Sequence, residues 1–292
     1  MKKKNILVGI LFTLLLAFTA CGGNNQGKKD DSGNTMDKLA QIKESGKLVV
    51  GTSPDFPPSE FYVLDENNKK QIVGRDISLA QAIADEIGVK LELKATDFNG
   101  VLANIQTDSL DFGISGFVGT KERSKIMDFS DGYQQETSDG YQGILTTKEN
   151  VEKYTTLAEL QADELTVGAQ GGSIQFELAS DITTAAKIKQ YGTIDAAILA
   201  LNAGDIDAIT VSTTSVTPLL SSFPELAILP QAEFDLDVEN MYATNVIGFP
   251  KRDDNESFIK LCNEVIQKSK DNGDLKKWRD EATVLAEKAI EE

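Results

Sequence analysis

The chain has 292 residues, 40% of them apolar and 26% charged, with 29 Lys and Arg against 46 Asp and Glu and a net charge of −17. That composition is globular rather than disordered and long enough for two domains, and its acidity, with no basic patch, argues against a nucleic-acid partner. Histidine is absent and Cys21 and Cys262 are the only cysteines. Ser-His-Asp and Cys-His catalysis, His-ligated zinc and a disulfide framework are therefore excluded, and neither a metal site nor a cofactor is expected.

Lys2, Lys3 and Lys4 precede an apolar run from Ile6 to Ala20. The run is too short for the roughly 20 residues of a membrane-spanning helix, and with its basic start it reads as a signal peptide over residues 1–20. Phe18-Thr19-Ala20 before Cys21 resembles a bacterial lipoprotein signal, although that pattern prefers Leu, Val or Ile at the place of Phe18. The resemblance implies a lipid on Cys21; a plain cleaved signal with an incidental cysteine is the alternative. Residues 21–36 hold almost no large apolar side chain and read as a tether. The expected location is outside the cytoplasm, anchored to the cell membrane through Cys21.

The body alternates apolar runs with helical periodicity. KLVVGT, from Lys47, reads as a buried strand. Leu79, Ile83 and Ile87 recur every four residues, predicting a helix over 78–87 with Ser78 as N-cap and Gly88 as stop. VKLEL predicts a half-buried strand, 100–107 a helix, and LDFGIS a strand. A second set starts at Thr156-Leu157-Ala158-Glu159, a capping box, and runs LTVGA (strand), SIQFELAS (helix), AKIKQY (strand), IDAAILALNAG (helix) and IDAITV (strand). The tail from Glu256 is helical with a break at Asn272-Gly273, and Cys262 and Trp278 fall on its apolar positions. Strands separated by helices imply an α/β fold with parallel pairing, and two such sets imply two lobes with a ligand cleft at the strands' carboxyl ends.

VVGTSPDFPP, VGRDISLAQAIADEIGVKLE, DFNGVLANIQTDSLDFGISG, TKERSKIMDFS, VGAQGGS, GDIDAITV and VIGFPKRDD stand in that order. In these segments the chain resembles the extracytoplasmic solute-binding proteins of the polar amino-acid family, the receptors of ABC importers. The resemblance implies a two-lobed periplasmic-binding-protein-like fold of type II. It implies lobe 1 over 37–134, lobe 2 over 135–238 and a return to lobe 1 over 239–292, with hinges near 133–137 and 235–242. The implied function is binding of a small amino acid or related carboxylate and its delivery to an ABC permease; a monomer is expected. Arg123 is assigned to the ligand's carboxylate, the chemistry a guanidinium fork suits best, with Ser115, Gly116 and the Val118 backbone beside it. Ser173 and Ile174 lie at the turn that supplies backbone N–H groups from the second lobe. Phe56 and Phe98 match the aromatic walls, and Gln170 a position that varies with the ligand.

Ser53 and Ser212 stand where the family carries acidic residues, the latter its ammonium anchor, and Val118 replaces a hydroxyl residue. Arg75 stands where a phenylalanine precedes Asp76-Ile77. A neutral hydroxyl does not offset a buried ammonium. Either another carboxylate moves in, with Glu136, Asp139 and Glu177 the candidates, or the ligand is a modified amino acid or a related carboxylate rather than an ordinary free α-amino acid. Two other readings remain at this stage. An enzyme on the same fold would use Glu136, Glu177 or Asp55 as acid or base; a sensory or surface protein would keep the fold without a transport partner.

Overall fold

The computed structural model describes residues 36–135 and 140–290. The signal, Cys21 and most of the tether therefore lie outside the described residues, as do Glu136 and Asp139.

The chain enters through helix α1 (Lys38–Ser45) and strand β1 (Lys47–Thr52), followed by a three-stranded antiparallel flap of β2 (Asp55–Phe56), β3 (Glu60–Leu64) and β4 (Lys70–Val73). Helix α2 (Arg75–Ile87), β5 (Lys90–Ala95), α3 (Phe98–Gln106), β6 (Phe112–Gly113) and β7 (Met127–Phe129) complete this stretch. β8 (Gln134–Gln135) leads to a second stretch, β9 (Gln142–Thr147), α4 (Lys148–Lys153), α5 (Leu157–Ala162), β10 (Val167–Gln170), α6 (Ile174–Leu178) and β11 (Ile188–Tyr191). It continues through α7 (Ile194–Asn202), β12 (Ala208–Ser212), α8 (Thr213–Val216), β13 (Leu226–Ile228) and α9 (Gln231–Phe234). β14 (Thr244–Asn245) and β15 (Gly248–Pro250) precede the tail helices α10 (Glu256–Asp271) and α11 (Asp274–Ala286).

Two five-stranded sheets result, ordered β5-β1-β6-β15-β7 and β11-β10-β12-β9-β13. β1 runs parallel to β5 and β6, and β10 parallel to β11 and β12, as the βα alternation requires. The chain passes between the sheets twice, through β8 and β14, and these pair antiparallel (Thr244 opposite Gln135) as a short ribbon. The second crossing thus lies just beyond the predicted 235–242 hinge; within that segment the Asp237 carboxylate instead closes a turn on the Met241 and Tyr242 N–H groups.

α2 buries Leu79, Ala80, Ile83, Ala84 and Ile87 against the first sheet, where α10 adds Phe258, Cys262, Val265 and Ile266. Cys262 and Trp278 belong to this packing, as expected. α2 begins three residues earlier than the periodicity predicts, because Gly74 is its N-cap and Ser78 lies inside, its hydroxyl donating back to the Gly74 carbonyl. Gly74 has φ 133°, and a Cβ there would lie 2.1 Å from the Ser59 carbonyl oxygen, so only glycine fits. α3 also starts early, at Phe98, because Asp97 caps it by accepting from Gly100 N at 2.7 Å. The capping box at Thr156 forms, with the Glu159 carboxylate reaching Thr155 N at 2.8 Å rather than the cap residue's own N–H. Among the described residues no helix is long and apolar enough to cross a membrane.

Candidate functional site

The carboxyl ends of β1, β6 and β10 converge on one cavity, which the flap and the start of β9 complete. Phe56, Phe98, Ser115, Gly116, Val118, Arg123, Gln170, Ser173 and Ile174 all line it. So do four residues the motif reading did not place there as ligand contacts: Asp55, Glu60, Gln142 and Gln175. Its free volume is about 30 Å³, room for one or two waters. The cleft is closed, and a larger solute enters only when its walls part.

Arg123 opens a single 3₁₀ turn after β6 and is 8% exposed. Its Nη1 donates to the Val118 carbonyl at 2.9 Å and its Nη2 to the Gly172 carbonyl, on the opposite wall, at 3.0 Å. The guanidinium carbon lies 5.4 Å from the Phe98 ring centre and 5.8 Å from that of Phe117, and the two rings are themselves 5.0 Å apart. The aromatic faces thus hold a cation that has no carboxylate in ion-pair contact among the described residues. Burial lowers its pKa to about 10, opposed by the more distant charge of Glu177. A buried cation of this kind is incomplete without an anion. Glu177 acts on it through space and is not among the residues that line the cavity.

Gly116 has φ 56°, and a Cβ there would press on the Phe56 ring at 3.1 Å; its N–H donates to Asp76 and its carbonyl accepts from Asn245. Gly172 has φ 74°, with Asn99 Oδ1 2.3 Å from where its Cβ would be. Ser173 caps α6, its Oγ accepting from Phe176 N at 3.1 Å and donating to the Gln170 carbonyl at 2.7 Å.

Ser53 and Ser212 are not brought to the cavity wall. Ser53 sits behind it, its N–H on Ser115 Oγ at 3.0 Å and its Oγ on Asp55 Oδ1 at 2.9 Å. Ser212 ends β12, buried, with its Oγ 2.9 Å from that of Thr214. The carboxyls inside are Asp55 and Glu60. Burial raises Asp55 to about 7 against the hydrogen bonds it accepts. Glu60 takes Ser115 Oγ–H on Oε1 at 2.9 Å, while its Oε2 meets no donor N–H or O–H. Burial first, then the neighbouring Asp76 carboxylate, push Glu60 well above the usual range, so it holds a proton against Asp76. Asp76 is in turn fixed by Arg75 at 3.0 Å and by the Tyr133 hydroxyl at 2.6 Å. Arg75, in the place of the family's phenylalanine, is thereby a structural cation that also reaches Ser59 at 2.7 Å.

Asp55 was named only as a cleft acid or base for the enzyme reading and Glu60 not at all; the signal for both was present but local. Asp55 adjoins Phe56, and Glu60 heads EFYVL, whose alternation does not say which end meets a ligand. Gln142 and Gln175 bond to each other at 2.8 Å across 33 positions of sequence, which no local pattern reveals.

The model of the bacterial extracellular solute-binding proteins, family 3, matches residues 48–282. The arginine-binding extracellular protein ArtP of Bacillus subtilis (strain 168) is 29% identical over 283 residues, covering 95% of this chain and 96% of that one. The L-cystine-binding protein TcyJ of Escherichia coli (strain K12) is 27% identical over 245 residues, covering 82% and 85%. Among solved structures, the amino-acid ABC transporter substrate-binding protein AbpA of Streptococcus pneumoniae Canada MDR_19A, bound to L-arginine, superposes with a TM-score of 0.74 at 32% identity. That match covers 86% of this chain and 100% of the other. The fold is accordingly the α/β, type II periplasmic-binding-protein arrangement that the motifs implied. With its family model matched from the first strand to the last helix, the chain belongs to the bacterial extracellular solute-binding proteins of family 3.

Proposed function

We propose that the cleft closes on an α-amino acid, takes its carboxylate on Arg123, and that the protein delivers it to an ABC permease. The observation that carries this reading is the buried, ring-flanked Arg123 guanidinium, which has no carboxylate in ion-pair contact among the described residues. Support comes from the amino-acid receptors among the relatives. The side chain of the ligand is read as cationic. Glu60 lines the same cavity with an oxygen that meets no donor, and a ligand cation beside it would take the place of its proton.

Calorimetry on L-arginine, L-citrulline and agmatine tests both parts. L-arginine is expected to bind, citrulline more weakly because it lacks the side-chain charge, and agmatine hardly at all because it lacks the carboxylate. Agmatine binding as tightly as arginine removes the carboxylate from Arg123, and citrulline doing so removes the cation from Glu60.

A receptor of this kind returns its ligand unchanged, and measured turnover of a bound carboxylate would favour the enzyme reading. The lipid on Cys21, following the signal over 1–20, is part of the proposal; absence of fatty-acid label from the membrane-associated protein would oppose it. The lobes are read as 37–134 with 239–292, and 135–238, supported by the two sheets and by the ribbon of β8 and β14 between them.

A further inference from the structure

The Asp55 side chain crosses the cleft. It stands on β2, in the flap that belongs with the first sheet, and it is 5% exposed. Its Oδ2 accepts from Gln170 Nε2 at 2.8 Å and from the backbone N–H of Ile194 at 2.7 Å. Gln170 ends β10 and Ile194 opens α7, both elements of the second sheet's half. Its Oδ1 accepts from Ser53 Oγ at 2.9 Å, on its own side. The neighbouring Phe56 ring packs against the α7 cluster, so β2 as a whole docks on the start of that helix. A carboxyl whose acceptor sites are committed in this way is not at hand for a ligand ammonium.

We infer that Asp55 is the clasp that holds the cleft shut, and that its protonation favours closure. The inference holds whichever solute the cleft takes. Opening returns Asp55 to water and breaks both bonds to the far side. Closing buries it beside Asp195, whose charge opposes its ionisation, in a cavity it shares with Glu60 and Arg123. Burial outweighs the hydrogen bonds that favour the ion, and the closed-state value rises from 3.8 to about 7. Below the ordinary carboxylate value both states keep the proton. Between that value and about 7 only the closed state does, so closure weakens by up to tenfold for each unit of pH rise, and above 7 it weakens no further. A receptor outside the cell meets that change directly.

The neutral clasp has a chemical mimic. In Asp55→Asn the amide oxygen can accept from Gln170 and Ile194 N, and the amide N–H can donate to Ser53 Oγ, as the protonated acid would. Small-angle scattering on the ligand-free full chain at pH 5 and pH 8 reads closure without any ligand. The wild type is expected to expand between the two pH values. Asp55→Asn should stay compact at both, and Asp55→Ala should be expanded at both. A wild-type radius that does not change with pH, or an Asn variant that expands as the wild type does, overturns the inference. If Asp55→Ala does not fold, the comparison of wild type with Asp55→Asn decides alone.

Discussion

Arg123 and Glu60 are two buried ionisable groups in one cavity, kept in opposite states by their surroundings. Phe98, Phe117 and two carbonyls keep the guanidinium charged in spite of burial. Glu60 is kept neutral because burial and Asp76 both oppose its ionisation. Its pH consequence has a definite sign. A carboxyl raised on folding contributes stability that is complete below its unfolded value and is lost as pH rises through the folded one. As pH rises past the unfolded value, folding therefore favours a proton on Glu60 that the unfolded chain has given up. Glu60→Gln removes that requirement, since an amide can accept from Ser115 and donate to Asp76. The expected result is a higher melting temperature for Glu60→Gln than for wild type at pH 7.5, with the difference shrinking near pH 4. A lower melting temperature at pH 7.5 would show Glu60 to be ionised and paired.

The elements that carry these side chains owe their positions to caps and turns more than to periodicity. Phe98 is the first residue of α3, and the cap that fixes it is the 2.7 Å bond from Gly100 N to Asp97. Loss of such a cap costs about 1 kcal/mol. Asp97→Ala is expected to lower denaturation stability by about that amount and to weaken ligand binding besides, because the Phe98 ring that faces Arg123 moves with the helix start. Unchanged affinity would separate the helix start from the site. The strands and helices themselves were legible because buried faces repeat at fixed spacings, as at Leu79, Ile83 and Ile87. The start of α2 was not, because Ser78 is a good cap by composition while Gly74 alone tolerates the approach of the Ser59 carbonyl. The motifs made legible which residues around Arg123 line the cavity. Its acidic half was not: Asp55 meets Gln170 across 115 positions and Ile194 across 139, contacts that only the closed fold creates. Ser212, read as the weakened ammonium anchor, does not line the cavity, and of the two carboxyls that do, Asp55 is committed to Ser53, Gln170 and Ile194 N, which leaves Glu60.

At the scale of the molecule, two sheets joined by the ribbon of β8 and β14 meet over a cavity of about 30 Å³. The hydrogen bonds across it include Arg123 to the Gly172 carbonyl, and Asp55 to Gln170 and Ile194 N, beside the packing of Phe56 on the α7 cluster. Contacts of this kind can part and re-form, the hinge behaviour a receptor needs. A ligand carboxylate on Arg123 would strengthen the closed state by completing a buried charge that, among the described residues, is held by carbonyl dipoles, aromatic rings and the more distant Glu177. The most direct test is calorimetry of Arg123→Ala against wild type, using L-arginine or whichever amino acid of a panel binds most tightly, with melting curves for both proteins. Removing one partner of a desolvated charge pair costs about 3–5 kcal/mol, roughly a hundred- to several-thousand-fold in affinity. The account predicts that loss together with a melting temperature no lower than that of wild type, because the substitution removes a buried charge that has no carboxylate in ion-pair contact among the described residues. Wild-type affinity in a folded Arg123→Ala would contradict it.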